Sequence, residues 1–285
     1  MSSTTGSQPL SPDPPRRVAV VTHGRPERIE QGLDSLQRIA AEAGVELLYD
    51  TDEAGKHGVD SADGEADLCV VLGGDGTVLR ALARFLGTGV PVVGVNFGRV
   101  GFLTGIPRQS VEEGLRRAFA GTLRTVALPT LAVEVEGRRL VAVNDVVATS
   151  SQLGRMVELG WRLDDDDLGN QPCDGIICCT PSGSTAYNLS NGGPVMTWGL
   201  EAMAITFVAP HSLHARPFVV GPGTELAVRN LTADVALSLL LDGHEVTRLE
   251  AREGAFSVRL AAERSLLAML PEASFFRRYR ETFLT

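Results

Sequence analysis

The chain has 285 residues, a length at which one large core or two moderate ones are expected. Its 44% hydrophobic and 21% charged residues are an ordinary globular balance, and 26 basic against 35 acidic side chains leave a net charge of −9. That balance excludes the broad basic footprint nucleic acid requires, and no apolar stretch is long enough to cross a bilayer, so neither nucleic acid nor membrane is an expected partner.

Residues 1–16 are rich in Ser, Thr, Pro and Gly without an apolar signal core, and are expected to form a disordered tail. Arg17 to Thr22 reads as a buried strand. His23-Gly24-Arg25 follows as a turn, with Pro26 at the first position of a helix. Ile29, Leu33, Leu36, Ile39, Ala40 and Ala43 recur at helical spacing until Gly44, a natural stop. Val45 to Tyr49 is a second strand, and the polar stretch 50–67 a loop or poor helix. Leu68 to Leu72 is a third strand, Thr77 to Leu86 its helix, and Pro91 to Asn96 a fourth strand. Ser110 to Ala120 reads as a helix capped by Ser110, with Glu113 three residues on. Alternating strands and helices predict a doubly wound, Rossmann-like α/β domain over residues 17–124, with ligands beyond the carboxyl ends of its strands.

From Thr125 the hydrophobic period changes to two. Leu131, Val133 and Val135 alternate with polar or small residues, and Gly137 turns the chain into Leu140 to Ala148. Met156 to Leu163, Glu225 to Val228 and Ala255 to Leu260 alternate likewise, which predicts an antiparallel β-rich domain over residues 125–270. In the tail, residues 271–285, Phe276, Tyr279 and Phe283 share one helical face and Arg277, Arg278 and Arg280 lie elsewhere, so a helix packing back on a core is expected. Cys69, Cys173, Cys178 and Cys179 lack metal-type spacing and read as buried free thiols, which suits a reducing, cytoplasmic location. The run Asp164 to Asp167 lacks the spacing of a calcium loop and reads as a solvated turn, so no metal-ligating residues are assigned.

Three constellations carry chemistry. The first is Gly73-Gly74-Asp75-Gly76-Thr77 between a strand and a helix. Glycines there let backbone N–H groups and a helix N-terminus approach phosphate. Asp75 adds a negative charge that a pure phosphate cradle does not need, which points to chemistry, metal handling or a hydroxyl partner. The second is Asn144-Asp145 at a break between apolar runs. Such a pair can clamp a diol or amide, but on residue type alone an ordinary solvent-facing turn explains it better. The third is the stretch from Cys173 to Pro194, a strand, a hydroxyl-rich turn and a short helix ending in glycines. Thr185 and nearby N–H groups offer donors and Tyr187 a flat surface for a base, while part of the hydroxyl set caps the helix.

The Gly-Gly-Asp-Gly loop resembles that of NAD kinases and, more loosely, those of diacylglycerol and sphingosine kinases and phosphofructokinases. Asp174-Gly175, Thr180-Pro181-Ser182-Gly183-Ser184-Thr185-Ala186-Tyr187 and Gly192-Gly193-Pro194 resemble the NAD kinase family alone. The segments Gly94 to Thr104 and Pro210 to Pro217 are similar to family stretches with mainly structural roles. The resemblance implies that Asp75 is catalytic and accepts or orients the proton of the 2′-hydroxyl of the adenosine ribose of NAD⁺. It implies that Gly73, Gly74, Gly76, Thr77, Arg80, Asn144, Asp145, Arg155, Asp174, Thr185, Ala186, Tyr187, Asn188, Leu189, Ser190 and His244 line the nucleotide sites. It further implies NAD⁺ with ATP, another nucleoside triphosphate or polyphosphate as partners, Mg²⁺ carried with ATP, and a homodimer or homotetramer, since the Asp174 position can act across a subunit contact. Two departures stand out. Asp145 replaces the usual Glu, one methylene shorter, and Pro172 stands where some relatives have Arg. A lipid kinase and a catalytically silent dinucleotide sensor are the alternatives; the first leaves the stretch from Asp174 to Pro194 without purpose, and the second does the same for Asp75.

Overall fold

The computed structural model describes residues 7–9, 14–62, 64–212 and 214–284. Residues 1–6 and 10–13 of the expected disordered tail, and Leu213 of the Pro210 to Pro217 turn, lie outside these. The chain divides into two compact units, one of residues 1–127 with 265–285 and one of residues 128–264.

The first unit opens with β1 (Ser7–Pro9), which pairs antiparallel with residues 124–126. The part of the expected tail that is described therefore includes a short strand. Strands β2 (Arg17–Thr22), β3 (Glu46–Leu48), β4 (Leu68–Gly73) and β5 (Val92–Asn96) form a parallel sheet in the order β3-β2-β4-β5. All six residues of β4 are buried, as an uninterrupted apolar run requires when both sheet faces are covered. Register brings the carboxyl ends together, Thr22 beside Leu72 and Gly73 beside Asn96. A two-residue strand, β6 (Ile106–Pro107), adds to β5.

Helix α1 (Glu30–Ala43) buries Leu36, Ile39 and Ala40 and ends at Gly44 in a left-handed cap, as its spacing foretells. Of the two readings of residues 50–67, the short helix forms over its first part and the loop follows. Asp50 accepts the Glu53 N–H at 2.7 Å and starts α2 (Thr51–His57), so a capping acid offsets weak helix propensity. Helix α3 (Asp75–Arg84) begins at Asp75 itself, two residues before the expected start. Helix α4 (Val111–Phe119) follows a 3₁₀ turn at residues 108–110. Ser110 makes no side-chain cap bond, because the chain is already coiled when it arrives. Val20, Leu36, Val70, Leu72, Val93, Leu115 and Leu270 belong to the core of this unit.

Strand β7 (Arg124–Val135) carries the chain into the second unit and forms a hairpin with β8 (Arg138–Ala142). There follow β9 (Asp145–Ser150), β10 (Val157–Leu163), β11 (Asp166–Cys173) and β12 (Gly175–Cys179). After a 3₁₀ turn at residues 183–185 and the single turn α5 (Tyr187–Ser190) come β13 (Met203–Val208), β14 (Phe218–Val220), β15 (Leu226–Asn230), β16 (Leu237–Leu241) and β17 (His244–Leu249). Strand β18 (Ala255–Met269) ends the unit. One antiparallel sheet runs β14-β13-β12-β9-β16-β17; β11, β10, β15 and the first part of β18 form a second antiparallel set. Alternating residues from both sets, among them Val146, Leu159, Ile176, Ile205 and Val258, share one core.

Asp164 and Asp165 form a two-residue turn between β10 and β11, with Asp164 at φ 51° and the acidic run exposed. All four cysteines are buried and free. Pro172 lies on β11, which ends its set of strands, where a missing N–H is tolerated. The end of β18 differs from expectation. Leu267 pairs in parallel with Val92 of β5, so residues 265–270 belong with the first unit rather than with residues 125–270. Helix α6 (Phe275–Phe283) packs back on that unit, Phe275 edge-on to Phe102 at 5.5 Å between centroids.

Gly55 sits exposed inside α2, and an added Cβ would meet nothing within 4 Å. Gly55→Ala is predicted to stabilise the fold by about 0.5–1 kcal/mol, read as a higher urea midpoint. An unchanged or lower midpoint contradicts the assignment of α2.

Candidate active site

In the first unit the site is built at the carboxyl ends of β4 and β5. The Phe97 N–H donates to the Gly73 carbonyl at 2.9 Å, and the two loops then touch through glycine backbones. A Cβ on Gly98 would lie 2.9 Å from Gly74 Cα, a distance no side chain tolerates. Gly76 faces open space. Thr77 is buried against Gly73, so it frames the loop and does not line its open side.

Asp75 stands half-buried in the first turn of α3, where helix N–H groups favour a negative charge. Its Oδ1 accepts the Leu103 N–H at 2.7 Å and its Oδ2 the Phe102 N–H at 3.0 Å. These bonds fix the carboxylate plane and leave each oxygen a lone pair. Arg80, one turn further along α3, donates to the Thr22 carbonyl at 2.7 Å, at the carboxyl end of β2, and lies 3.6 Å from the buried Glu53 carboxylate. Its guanidinium is half exposed at that same end of the sheet.

In the second unit, described by itself, a different carboxylate organises a second group of candidate residues. Asp242 and Gly243 turn β16 into β17, both at positive φ, in the two-residue hairpin geometry an Asp-Gly pair favours. The Asp242 carboxylate points inward and accepts three successive N–H groups, from Val143 at 2.9 Å, Asn144 at 2.6 Å and Asp145 at 3.2 Å. Asn144-Asp145 is thus a held bend and not a solvent-facing turn; both residues are buried. Asn144 Oδ1 is buried with no hydrogen-bond partner among the described residues. Burial, and secondarily the charge of Asp242, push the Asp145 carboxyl up to about 7. Burial also raises Asp242, against the three N–H bonds and nearby His244, which act the other way.

The hydroxyl-rich turn closes on this bend. Thr180 donates to the Val143 carbonyl at 2.7 Å and its N–H to the Asn144 carbonyl at 2.9 Å. A Cβ on Gly183 would stand 2.1 Å from the Asn144 oxygen, so only glycine fits. Thr185 is half-buried, Ala186, Tyr187 and Ser190 are exposed, and Leu189 is half-buried. Asn188 differs from expectation: it is fully buried, its Nδ2 donating to the Ser184 and Pro194 carbonyls and its Oδ1 accepting from the Thr206 hydroxyl. It braces the turn. Asp174 is exposed and its backbone pairs with Val208 and Ser150. Arg155 pairs at the surface with Asp234 at 2.8 Å, a contact of the kind worth little and easily exchanged. His244 is exposed at the start of β17.

Residue type marks most of these side chains, but not how they are held. The N–H groups of Phe102 and Leu103 carry no side-chain signal. Asp242-Gly243-His244 reads equally as a β-turn or as a stretch where a polar residue can approach ligand, and the partners Asp242 collects lie about a hundred residues away in the chain.

Residues 25–123 match the family model for the ATP-NAD kinase N-terminal domain, and residues 143–265 that for the ATP-NAD kinase C-terminal domain. The NAD kinase of Gemmatimonas aurantiaca is 35% identical over 93% of this chain and 94% of its own, and that of Symbiobacterium thermophilum 35% identical over 81% and 86%. The fold is similar to that of yeast NADH kinase complexed with NADH, at 20% identity and a TM-score of 0.83 over 99% of this chain and 94% of that one. It is also similar to an NAD kinase from Archaeoglobus fulgidus in complex with ATP, at 26% identity and a TM-score of 0.70 over 94% and 97%. With both units matched in order and over most of their length, the chain belongs to the NAD kinase family.

Proposed function

We propose that the chain transfers the terminal phosphoryl group of ATP, another nucleoside triphosphate or polyphosphate to the 2′-hydroxyl of the adenosine ribose of NAD⁺, giving NADP⁺. The observation that carries the assignment of roles is Asp75, a half-exposed carboxylate aimed by two N–H groups at the ends of β4 and β5. Phosphoryl transfer is mostly positioning and charge stabilisation, so a fixed acceptor that aligns the attacking oxygen suffices. Gly73, Gly74 and Gly76 let backbone approach the donor phosphates, and Arg80, half exposed, adds a cation there. The residues suit a divalent ion that the nucleotide brings, because each Asp75 oxygen accepts only one N–H and keeps acceptor capacity. Mg²⁺ bound in this way would neutralise charge on the donor phosphates.

The second unit holds the dinucleotide. Asn144 Oδ1, buried and unpartnered among the described residues, waits for a donor such as an amide or hydroxyl. Asp145 offers a carboxylate beside it, and the exposed Tyr187 ring a face for a base. Asp174, Arg155 and His244 are reachable contributors at the surface. The exposed Asp174 and the edge strand β14, with Phe218 and Val219 exposed, support assembly into a homodimer or homotetramer. Four buried free thiols suit a cytoplasmic location; among the described residues no helix is long and apolar enough to cross a membrane.

Purified protein incubated with NAD⁺, Mg²⁺ and a panel of donors should form NADP⁺. Asp75→Asn is expected to lower turnover about a hundredfold or more while NAD⁺ affinity stays within about tenfold. Near-normal turnover in that variant would remove Asp75 from its role.

The carboxyl of Asp145 titrates at about 7. If its ionised form accepts the ribose hydroxyls, the competent fraction rises about tenfold between pH 6 and pH 8, and the KM for NAD⁺ falls correspondingly. Asp145→Asn should flatten that dependence; a KM that is flat in the parent protein contradicts the role. Folding has the opposite sign. A carboxyl raised in the folded state stabilises fully below its unfolded value near 4, and this contribution is lost as pH rises through about 7. Asp145→Asn should therefore gain stability on the parent between pH 5 and pH 8.

A further inference from the structure

Helix α6 is the last element of the chain, yet one of its side chains reaches the turn that aims Asp75. Arg278 Nη1 donates to the Gly101 carbonyl at 2.6 Å. The next two residues, Phe102 and Leu103, give their N–H groups to Asp75. The Gly101 carbonyl and the Phe102 N–H belong to one planar peptide unit, so holding the oxygen on one side aims the N–H on the other. Gly101 has φ 77°, and as a glycine it leaves that peptide freer to rotate than any other residue would.

Helix α6 also grips this turn through apolar contact. The Phe102 ring lies 5.5 Å from Phe275 and 6.0 Å from Phe283. Rings alone would anchor the helix. A mostly buried guanidinium costs desolvation that an apolar side chain would avoid. Here the cost is visible, since burial lowers the Arg278 pKa from its ordinary value while Asp75 and Glu281 oppose that. Arg278 Nε has no hydrogen-bond partner among the described residues. The cation supplies what rings cannot, a directed donor on one carbonyl beside the Asp75 charge.

We propose that Arg278 is a positioning residue for phosphoryl transfer: it pins the Gly101 peptide and thereby the Phe102 N–H, one of the two that orient Asp75. The inference rests on the reading of Asp75 as the group that aligns the 2′-hydroxyl. A cavity of about 600 Å³, lined by Gly101, Asn96 and Arg278 among others, borders the guanidinium and gives a small cation access.

The test is steady-state kinetics of Arg278→Ala and Arg278→Lys with NAD⁺ and ATP, each with and without millimolar guanidinium chloride, and with urea as the neutral control. In Arg278→Ala, kcat should fall about tenfold to a hundredfold with KM for NAD⁺ within about threefold. Guanidinium, and not urea, should restore part of that kcat, and should not raise that of the parent protein. Arg278→Lys should fall between the two, because one ammonium cannot reproduce the planar fork. A parent-like kcat in Arg278→Ala, a loss confined to KM, or a folded variant whose turnover guanidinium fails to restore overturns the proposal. Should Arg278→Ala not fold, a parent-like kcat in Arg278→Lys overturns it. Asp75→Asn run alongside separates the two readings. If that variant still turns over, the role of Asp75 fails; if it is inactive while Arg278→Ala is parent-like, only the present inference fails.

Discussion

A carboxylate that accepts two successive backbone N–H groups cannot rotate, and what it does next depends on the lone pairs left over. Asp75 is held in this way by Phe102 and Leu103. Its orientation is therefore set by the turn after β5 and not by the glycine loop on which it stands. The parallel register of β4 and β5 is what brings the two loops into reach, and the Gly74–Gly98 approach is what lets them close.

The second unit solves a similar problem with Asp242, which collects three N–H groups from residues 143–145. The result is a buried bend that presents Asn144 and Asp145 together. Burial first, and the nearby Asp242 charge second, disfavour an ionised Asp145 and push its carboxyl up to about 7.

Much of this was legible in the chain. Uninterrupted apolar runs such as Leu68 to Leu72 specify buried parallel strands, and the change to period two at Leu131 marks the β-rich unit. The glycine loop and the stretch from Asp174 to Pro194 stand out in the chain by residue type alone. The rest was hidden for definite reasons. Helix α2 depends on a capping acid, Asp50, that outweighs poor propensity. Ser110 reads as a cap yet makes no cap bond. Asn188 reads as a ligand contact, but its amide is taken up by Ser184, Pro194 and Thr206. Arg278 reads as the polar side of an amphipathic helix, and its contact with Gly101 spans 177 residues. Local pattern reports which side chains are present; backbone donors and long-range pairings decide which way they face.

The most direct measurement is a crystal structure with NAD⁺ bound. The account predicts an Asp75 oxygen within about 2.6–3.2 Å of the adenosine 2′-oxygen while Leu103 N–H still donates to the same carboxylate. A 2′-oxygen well beyond that reach in every copy, or a carboxylate released from Phe102 and Leu103, would contradict it.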